Sequence, residues 1–310
     1  MSGPEMWTAA HAAASIRVPR LGDDKYSRGV LGVRTGSLAY PGAAVLGVEA
    51  AWRTGLGMVR YLGPHAVGER VLSARPETVL GEGRVQAWLV GSGTDAASRG
   101  RAESQTLAAL MEGPVPVIVD AGALDLVAGA RGSTPLVLTP HDREFSRLEA
   151  TLGHASSRDD GLDARAAATR ALAAQLGQVV LRKGSTTIVA APGGWCATVS
   201  AGTPWLATAG TGDVLGGVIG ALVAAHFARD TGAPVDEPNP LEALGALAAT
   251  GAWLHGVAGR IAAGLAPVRA SGPLRGAADD AAQGRPITAL DVAHALPAAV
   301  ASTLALAQPS

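Results

Sequence analysis

Short apolar runs alternating with alanine-rich stretches of helical spacing constrain this chain most, because that alternation marks strand-helix-strand units and a mostly parallel sheet. The runs that read as strands are Val30 to Val33, Met58 to Leu62, Ala87 to Val90, Val115 to Val119, Leu136 to Leu138, Val179 to Leu181, Thr187 to Ala191 and Trp195 to Val199. Between and after them, Gly42 to Thr54, Ser98 to Met111, Asp159 to Leu176, Asp213 to Ala228 and Leu241 to Leu265 read as helices by apolar spacing and length. The pattern changes from Val179 to Val199. There three apolar runs follow one another across short turns at Lys183-Gly184-Ser185 and Pro192-Gly193-Gly194, which predicts antiparallel hairpins. The expected class is α/β, a sheet covered on both faces. Met1 to about Arg20 has no steady period and is expected to be a tail or a single weak helix, with residues 21–310 forming one domain. Asp230 to Pro240 and Ala270 to Pro286 read as surface loops, not linkers.

With 48% hydrophobic and 16% charged residues, a chain of 310 residues can bury a substantial core and is not of the disordered class. Its net charge of -1 creates no long-range field for nucleic acid or an acidic membrane, so a phosphate would have to be held by a local site. The favoured partner is therefore a small molecule. A single cysteine, Cys196, excludes an intramolecular disulfide and any multi-cysteine metal site, which fits a reducing compartment. The start of the chain lacks the layout of a signal peptide. The longest apolar stretch, Val214 to Ala225, is shorter than the ~20 residues of a membrane span, so the expected location is the cytoplasm.

Glycine is nearly twice its usual share of ~7%, so where it clusters is informative. The densest cluster is Ala209-Gly210-Thr211-Gly212-Asp213-Val214-Leu215-Gly216-Gly217. Gly210, Thr211 and Gly212 can turn their amides toward an anion, and the apolar helix that follows aims its positive end at the same point. Asp213 reads either as a helix cap or as a general base facing a hydroxyl; flanking glycines, which a plain cap does not need, favour the base.

Other segments carry weaker signals. Pro41-Gly42-Ala43-Ala44 opens a helix with small residues, suited to a flat ring or to helix packing. Gly91-Ser92-Gly93 is a turn after a strand, and Asp120, ahead of Gly122, reads as a magnesium ligand or a turn cap. Thr139-Pro140-His141 lies just past a strand end that should open into the ligand cleft of such a sheet. Lys183-Gly184-Ser185-Thr186-Thr187 offers an ammonium, amides and hydroxyls to a nucleotide, or is an ordinary hairpin turn. Lys183 is one of two lysines, with Lys25, in a chain that otherwise uses arginine for positive charge. Trp52, Trp88, Trp195 and Trp253 read as core; Trp205, ahead of the glycine cluster, is placed to stack on a ring.

Gly210-Thr211-Gly212-Asp213 at the head of an apolar helix resembles the active-site turn of the ribokinase-like superfamily. Lys25 to Gly29, Gly36 to Ala44, Arg53 to Gly57, Val90 to Thr94, Val119 to Leu124, Leu138 to Phe145 and Leu181 to Thr187 resemble one branch of it, the ADP-dependent NAD(P)H-hydrate dehydratases. The resemblance implies a three-layer α/β/α sandwich and the ADP-dependent dehydration of the S epimer of hydrated NADH or NADPH, giving AMP and phosphate. It implies substrate contacts at Ala43, Gly93, His141 and Asp213, with Asp213 catalytic. AMP contacts are implied at Lys183, Gly184, Ser185, Thr186, Thr187 and Gly212. It further implies magnesium, a homotetramer, and a separate epimerase, since only a short tail precedes the first motif. Two departures stand out: Asp142-Arg143 where the family continues with Pro-Gly, and Ala209 where it commonly has glycine. Rival readings are a kinase of the same fold acting on a vitamin or sugar, and a catalytically silent nucleotide-binding regulator. A Rossmann dehydrogenase is weaker, because no Gly-x-Gly-x-x-Gly opens an early unit.

Overall fold

The computed structural model describes residues 3–130, 133–153, 161–228, 239–266 and 283–307. In chain order the elements are β1 (Glu5–Met6), α1 (Ala9–Ser15), β2 (Val30–Arg34), α2 (Gly42–Arg53), β3 (Met58–Tyr61), α3 (His65–Ala74), β4 (Val79–Leu80) and β5 (Ala87–Val90). There follow α4 (Arg101–Met111), β6 (Val117–Val119), β7 (Leu136–Leu138), α5 (Asp142–Thr151), α6 (Leu162–Leu176), β8 (Val179–Arg182), β9 (Thr187–Ala190) and β10 (Cys196–Val199). The chain closes with α7 (Thr211–Phe227), α8 (Pro240–Ala262) and α9 (Ala289–Leu306). The strands form one sheet in the order β1-β10-β9-β8-β7-β6-β5-β2-β3-β4. Its pairs are parallel except β8 with β9 and β9 with β10, the two hairpins predicted from the turns.

Successive side chains on a strand point to opposite faces, and the core divides accordingly. Leu31 and Val33, Ala87 and Leu89, Ile118, Val137, and Val179 and Leu181 join one cluster, with Val48 of α2, Val218 of α7, Leu254 of α8 and Leu296 of α9. Val90, Val117 and Val119, Leu136 and Leu138, and Val180 join the other, with Leu107 of α4, Phe145 of α5 and Leu172 of α6. The result is three layers, a sheet between two sets of helices. Both faces of the central strands are apolar, as a parallel sheet covered on both sides requires.

The strands and long helices fall where the apolar spacing puts them, within a few residues at their ends. Where a tail or a single weak helix was expected, residues 5–15 form a short strand and one short helix. β1 adds beside β10 in parallel register, Trp7 meets Trp195 edge-on with ring centres 5.8 Å apart, and Ala9 and Ala12 of α1 are buried. A strand of two residues is too short to show a period, which is why the sequence hid it. The same limit hid β4, also two residues long. Helices α3, α5 and α9 were not assigned from spacing either. α9 is long and apolar enough, by length and composition, to cross a membrane, although Asp291 and His294 interrupt its apolar residues. In the fold it packs along α8 and α2, burying Val292, Leu296 and Ala299. The predicted loops fall at 230–238 and 270–282 outside the described residues, as do positions 159 and 160 of the predicted helix start.

Strand order reverses between β2 and β5: β2 continues through α2 to β3 on one side, while β5 lies on its other side. Beyond such a reversal the connections diverge and leave a crevice at the carboxyl ends of the strands. The loops bordering it are tied together, Gly36 donating from its amide to Ser92 O at 2.7 Å.

Candidate active site

Four neighbouring strands end at one buried carboxylate. Asp120 follows β6 and is 3% exposed. Its Oδ1 accepts from Thr139 Oγ1 at 2.7 Å, just past β7, and from Lys183 Nζ at 2.9 Å, just past β8. Its Oδ2 accepts from Ser92 Oγ at 2.9 Å, beyond β5. Burial pushes this carboxyl upward, but the ammonium and the three bonds outweigh it and hold it below the ordinary carboxylate range. The carboxylate makes no side-chain cap bond to the helical turn that follows it, so of the two readings of Asp120 the turn cap is the one the structure does not bear out. Among the described residues no group of three or more His, Cys, Asp or Glu is arranged to hold a metal ion.

Lys183 is the link from this carboxylate to the glycine cluster. Although burial opposes its charge, Asp120, then Glu144 at 3.9 Å and Asp213, keep the ammonium protonated and its pKa raised. A methyl group on Gly212 would stand 3.7 Å from Nζ, so the lysine and the start of α7 share one space.

α7 begins two residues earlier than predicted, because Gly210 takes a left-handed conformation (φ 89) that lets the helix start at Thr211. A side chain at Gly210 would meet Leu46 Cδ1 at 2.6 Å. The Thr211 hydroxyl shares its one hydrogen between Leu206 O and Thr208 O, both at 2.9 Å, and so locks the turn. The amides of Gly212 and Asp213 make no hydrogen bond among the described residues, as expected of the second and third positions of a helix. Ala209 is exposed, and its methyl does not crowd the turn. Asp213 itself is half-buried, and its carboxyl is raised to about 7 by burial first and then by the Asp120 charge, against the pull of Lys183.

One cavity reaches Lys183 and Gly212, and a second shares His141 with it. The first, about 560 Å³, is lined by Lys183, Gly184, Ser185, Thr187, Gly212 and an apolar wall that includes Val199, Ala201, Leu206 and Leu215. The second, about 770 Å³, is lined by Tyr40, Gly93, Thr94, Gly122, Glu144 and Arg147. His141 borders both. Asp213 lines neither; it follows directly on Gly212, which lines the first. Thr186 is not among the residues lining the first cavity, and its Oγ1 lies 3.0 Å from Ser200 Oγ. Ala43 is buried behind Gly93, where a side chain would come within 2.5 Å of the Ala43 methyl. Gly93 itself is left-handed (φ 67), and the loop before α2 closes on it.

His141 has a structural role besides its position. Its Nδ1 accepts from the amides of Arg143 at 3.1 Å and Glu144 at 3.3 Å, while Glu144 Oε2 accepts from the His141 amide at 2.9 Å. This reciprocal cap begins α5 and leaves Nε2 as the nitrogen able to carry a proton. Asp142, the departure from the family pattern, accepts from Arg182 Nε at 2.7 Å and Arg165 Nη2 at 3.3 Å, so it ties α5 to β8 and α6.

The sequence reading missed His255, on α8. It lines the first cavity, its Nε2 is buried without a hydrogen-bond partner among the described residues, and burial lowers its pKa to about 4. A lone histidine in an apolar helix was the available signal. Ser92 and Thr139 were missed in role: each lay within a noted segment, but neither spacing nor composition pairs them with Asp120.

A family model described as NAD(P)H-hydrate dehydratase matches residues 31–270. The bifunctional NAD(P)H-hydrate repair enzyme Nnr of Mycobacterium tuberculosis (strain ATCC 25618 / H37Rv) is 46% identical over 229 residues, 70% of this chain and 45% of that protein. This chain thus spans about half the length of that relative. The ADP-dependent (S)-NAD(P)H-hydrate dehydratase of Neisseria meningitidis serogroup B is 35% identical over 270 residues, 81% of this chain and 83% of the other. Among solved structures, the ADP/ATP-dependent NAD(P)H-hydrate dehydratase of Bacillus subtilis, co-crystallised with ATP and Mg2+, superposes with a TM-score of 0.75. That likeness covers 98% of this chain and 99% of the other at 24% identity, and shows the shared ribokinase-like fold.

Proposed function

This chain belongs to the NAD(P)H-hydrate dehydratase family, and from that premise we propose that it removes water from the S epimer of hydrated NADH or NADPH at the expense of ADP. The observation that carries the reading is the meeting of three things at one point: the free amides of Gly212 and Asp213, the Lys183 ammonium, and two cavities that share His141.

The first cavity suits a nucleoside diphosphate. Its apolar wall takes the base, and Lys183, Gly184, Ser185 and Gly212 face the phosphates. The second takes the hydrated dinucleotide, with Gly93 and His141 at the border and Ala43 supporting Gly93 from behind. Asp213 accepts the proton of the ring hydroxyl. The freed oxygen attacks the β-phosphorus of ADP, the bond to the bridging oxygen breaks, and AMP departs with the electron pair. Charge that develops during transfer meets the helix amides and the ammonium, which are already in place. The reason for the detour is leaving-group chemistry: hydroxide departs poorly at neutral pH and phosphate departs readily. Inorganic phosphate then leaves with the carbon-oxygen electrons, driven by the ring nitrogen lone pair, and loss of a ring proton restores NAD(P)H. Among the described residues no group of three or more His, Cys, Asp or Glu forms a cage for a resident magnesium ion, so magnesium would enter as the counter-ion of the nucleotide. No step above is routed through it.

One epimer is consumed, so a separate NAD(P)H-hydrate epimerase activity would supply it. A homotetramer is the assembly that the resemblance supports. Incubation with NADH hydrate, magnesium and ADP should restore the 340 nm absorbance of NADH with release of AMP and phosphate. A stable phosphorylated product made from ATP would instead establish a kinase, and nucleotide binding without turnover a regulator.

A further inference from the structure

We propose that Asp120 is a positioning residue of this reaction: held by Ser92 and Thr139, its carboxylate fixes the Lys183 ammonium beside Gly212, where the phosphoryl group would pass. The inference rests on the functional reading above and adds a residue that touches neither substrate.

Three observations carry it. The first is where the bonds come from. Ser92, Asp120, Thr139 and Lys183 stand just beyond β5, β6, β7 and β8, four neighbours in the sheet, so the carboxylate is anchored where four central strands end. The second is the backbone around it. A side chain at Gly91 would fall 2.2 Å from Asp120 O, and one at Gly122 would fall 2.1 Å from Thr94 O. Between them Ala121 adopts a left-handed φ of 48, the one non-glycine residue to do so among the described residues. Strain of this kind persists where the surroundings over-determine a position, and it concentrates at functional sites. The third is energetic. A buried ion pair is seldom more stabilising than a well-packed apolar pair of the same volume, so stability alone gives little reason to keep one here. A lysine on a long, mobile stem does need an anchor if its charge is to stay at one point in an open cavity. Asp120 provides it, with Glu144 at 3.9 Å on the other side.

The test is steady-state kinetics of the full chain with NADH hydrate and ADP. Asp120→Asn should lower kcat by about 100-fold or more while KM for ADP stays within about threefold, because the ammonium is lost from the transition state and not from the bound nucleotide. Lys183→Met should lower kcat similarly, and the double variant should be no slower than Lys183→Met alone, since both changes remove one device. Thr139→Val leaves the charge in place and removes one bond; it should fold and lower kcat about fivefold. Should Asp120→Asn not fold, Thr139→Val decides the matter. Wild-type kcat in either single variant, or independent effects in the double variant, overturns the positioning role while the dehydratase reading stands. A wild-type protein that restores no NADH from the hydrate and ADP overturns both.

Discussion

Asp213 carries two opposed demands, and they can be separated by measurement. As a base it must be ionised, and its carboxyl sits at about 7 because burial and the Asp120 charge disfavour the anion. kcat/KM should therefore rise roughly tenfold per pH unit below about 7 and level off above it. The sign for stability is opposite. A folded-state pKa raised from 3.8 contributes stability below the unfolded value that is lost as pH rises through about 7. Asp213→Asn should thus abolish turnover with ADP binding largely intact, yet raise stability at pH 8 by about 1 kcal/mol, the usual exchange between function and stability at a strained site. The difference should shrink as pH falls and vanish only below about 3.8, where the carboxyl is protonated in the folded and unfolded states alike. Equal Tm at pH 8 would show that Asp213 is not held under electrostatic strain. At this scale the glycine cluster was legible, since a carboxylate ringed by glycines at a helix start has few purposes. The partnership of Asp120 was not. Its three donors lie 19 to 63 residues away in sequence or more than a strand apart, and no local pattern pairs them.

At the scale of elements, α7 is held to α2 by backbone contact. A side chain at Gly217 would stand 2.2 Å from Gly47 O and 2.9 Å from the Ala50 methyl. Gly217→Ala should force the helices apart and destabilise the fold by about 1–3 kcal/mol, measured by denaturant unfolding, even though alanine favours helix formation. Unchanged or increased stability would mean that the helices are free to slide. Sequence spacing showed α7 as an apolar helix, but it did not show which of its glycines meet backbone, because that depends on the partner helix. α5 illustrates the reverse case. Its cap, His141 with Glu144 three residues on, is a local signal, masked because a histidine is an uncommon N-cap.

The whole molecule is closed by its two ends. α1 and α9 both pack on α8, and Trp7 is buried against Trp195. Trp7→Ala should lower stability by about 3–5 kcal/mol, read from thermal unfolding, far more than a loose tail would permit. ADP at 100 times its Kd should stabilise the protein by about 2.7 kcal/mol, visible as a rise in Tm. A Tm indifferent to ADP would remove the nucleotide from the first cavity.

The sequence alone determined the layered α/β class, the two hairpins, and the turn at Gly210 to Asp213, because each is written in periods of a few residues or in glycines that only certain backbones require. The tertiary structure decided what those parts do together: it joined Ser92, Asp120, Thr139 and Lys183 at one edge of the sheet, placed His141 between two cavities, and drew the first residues into the fold. Contacts between distant segments depend on how strands are ordered, and that order is settled by burial of the whole core and not by any short stretch of chain.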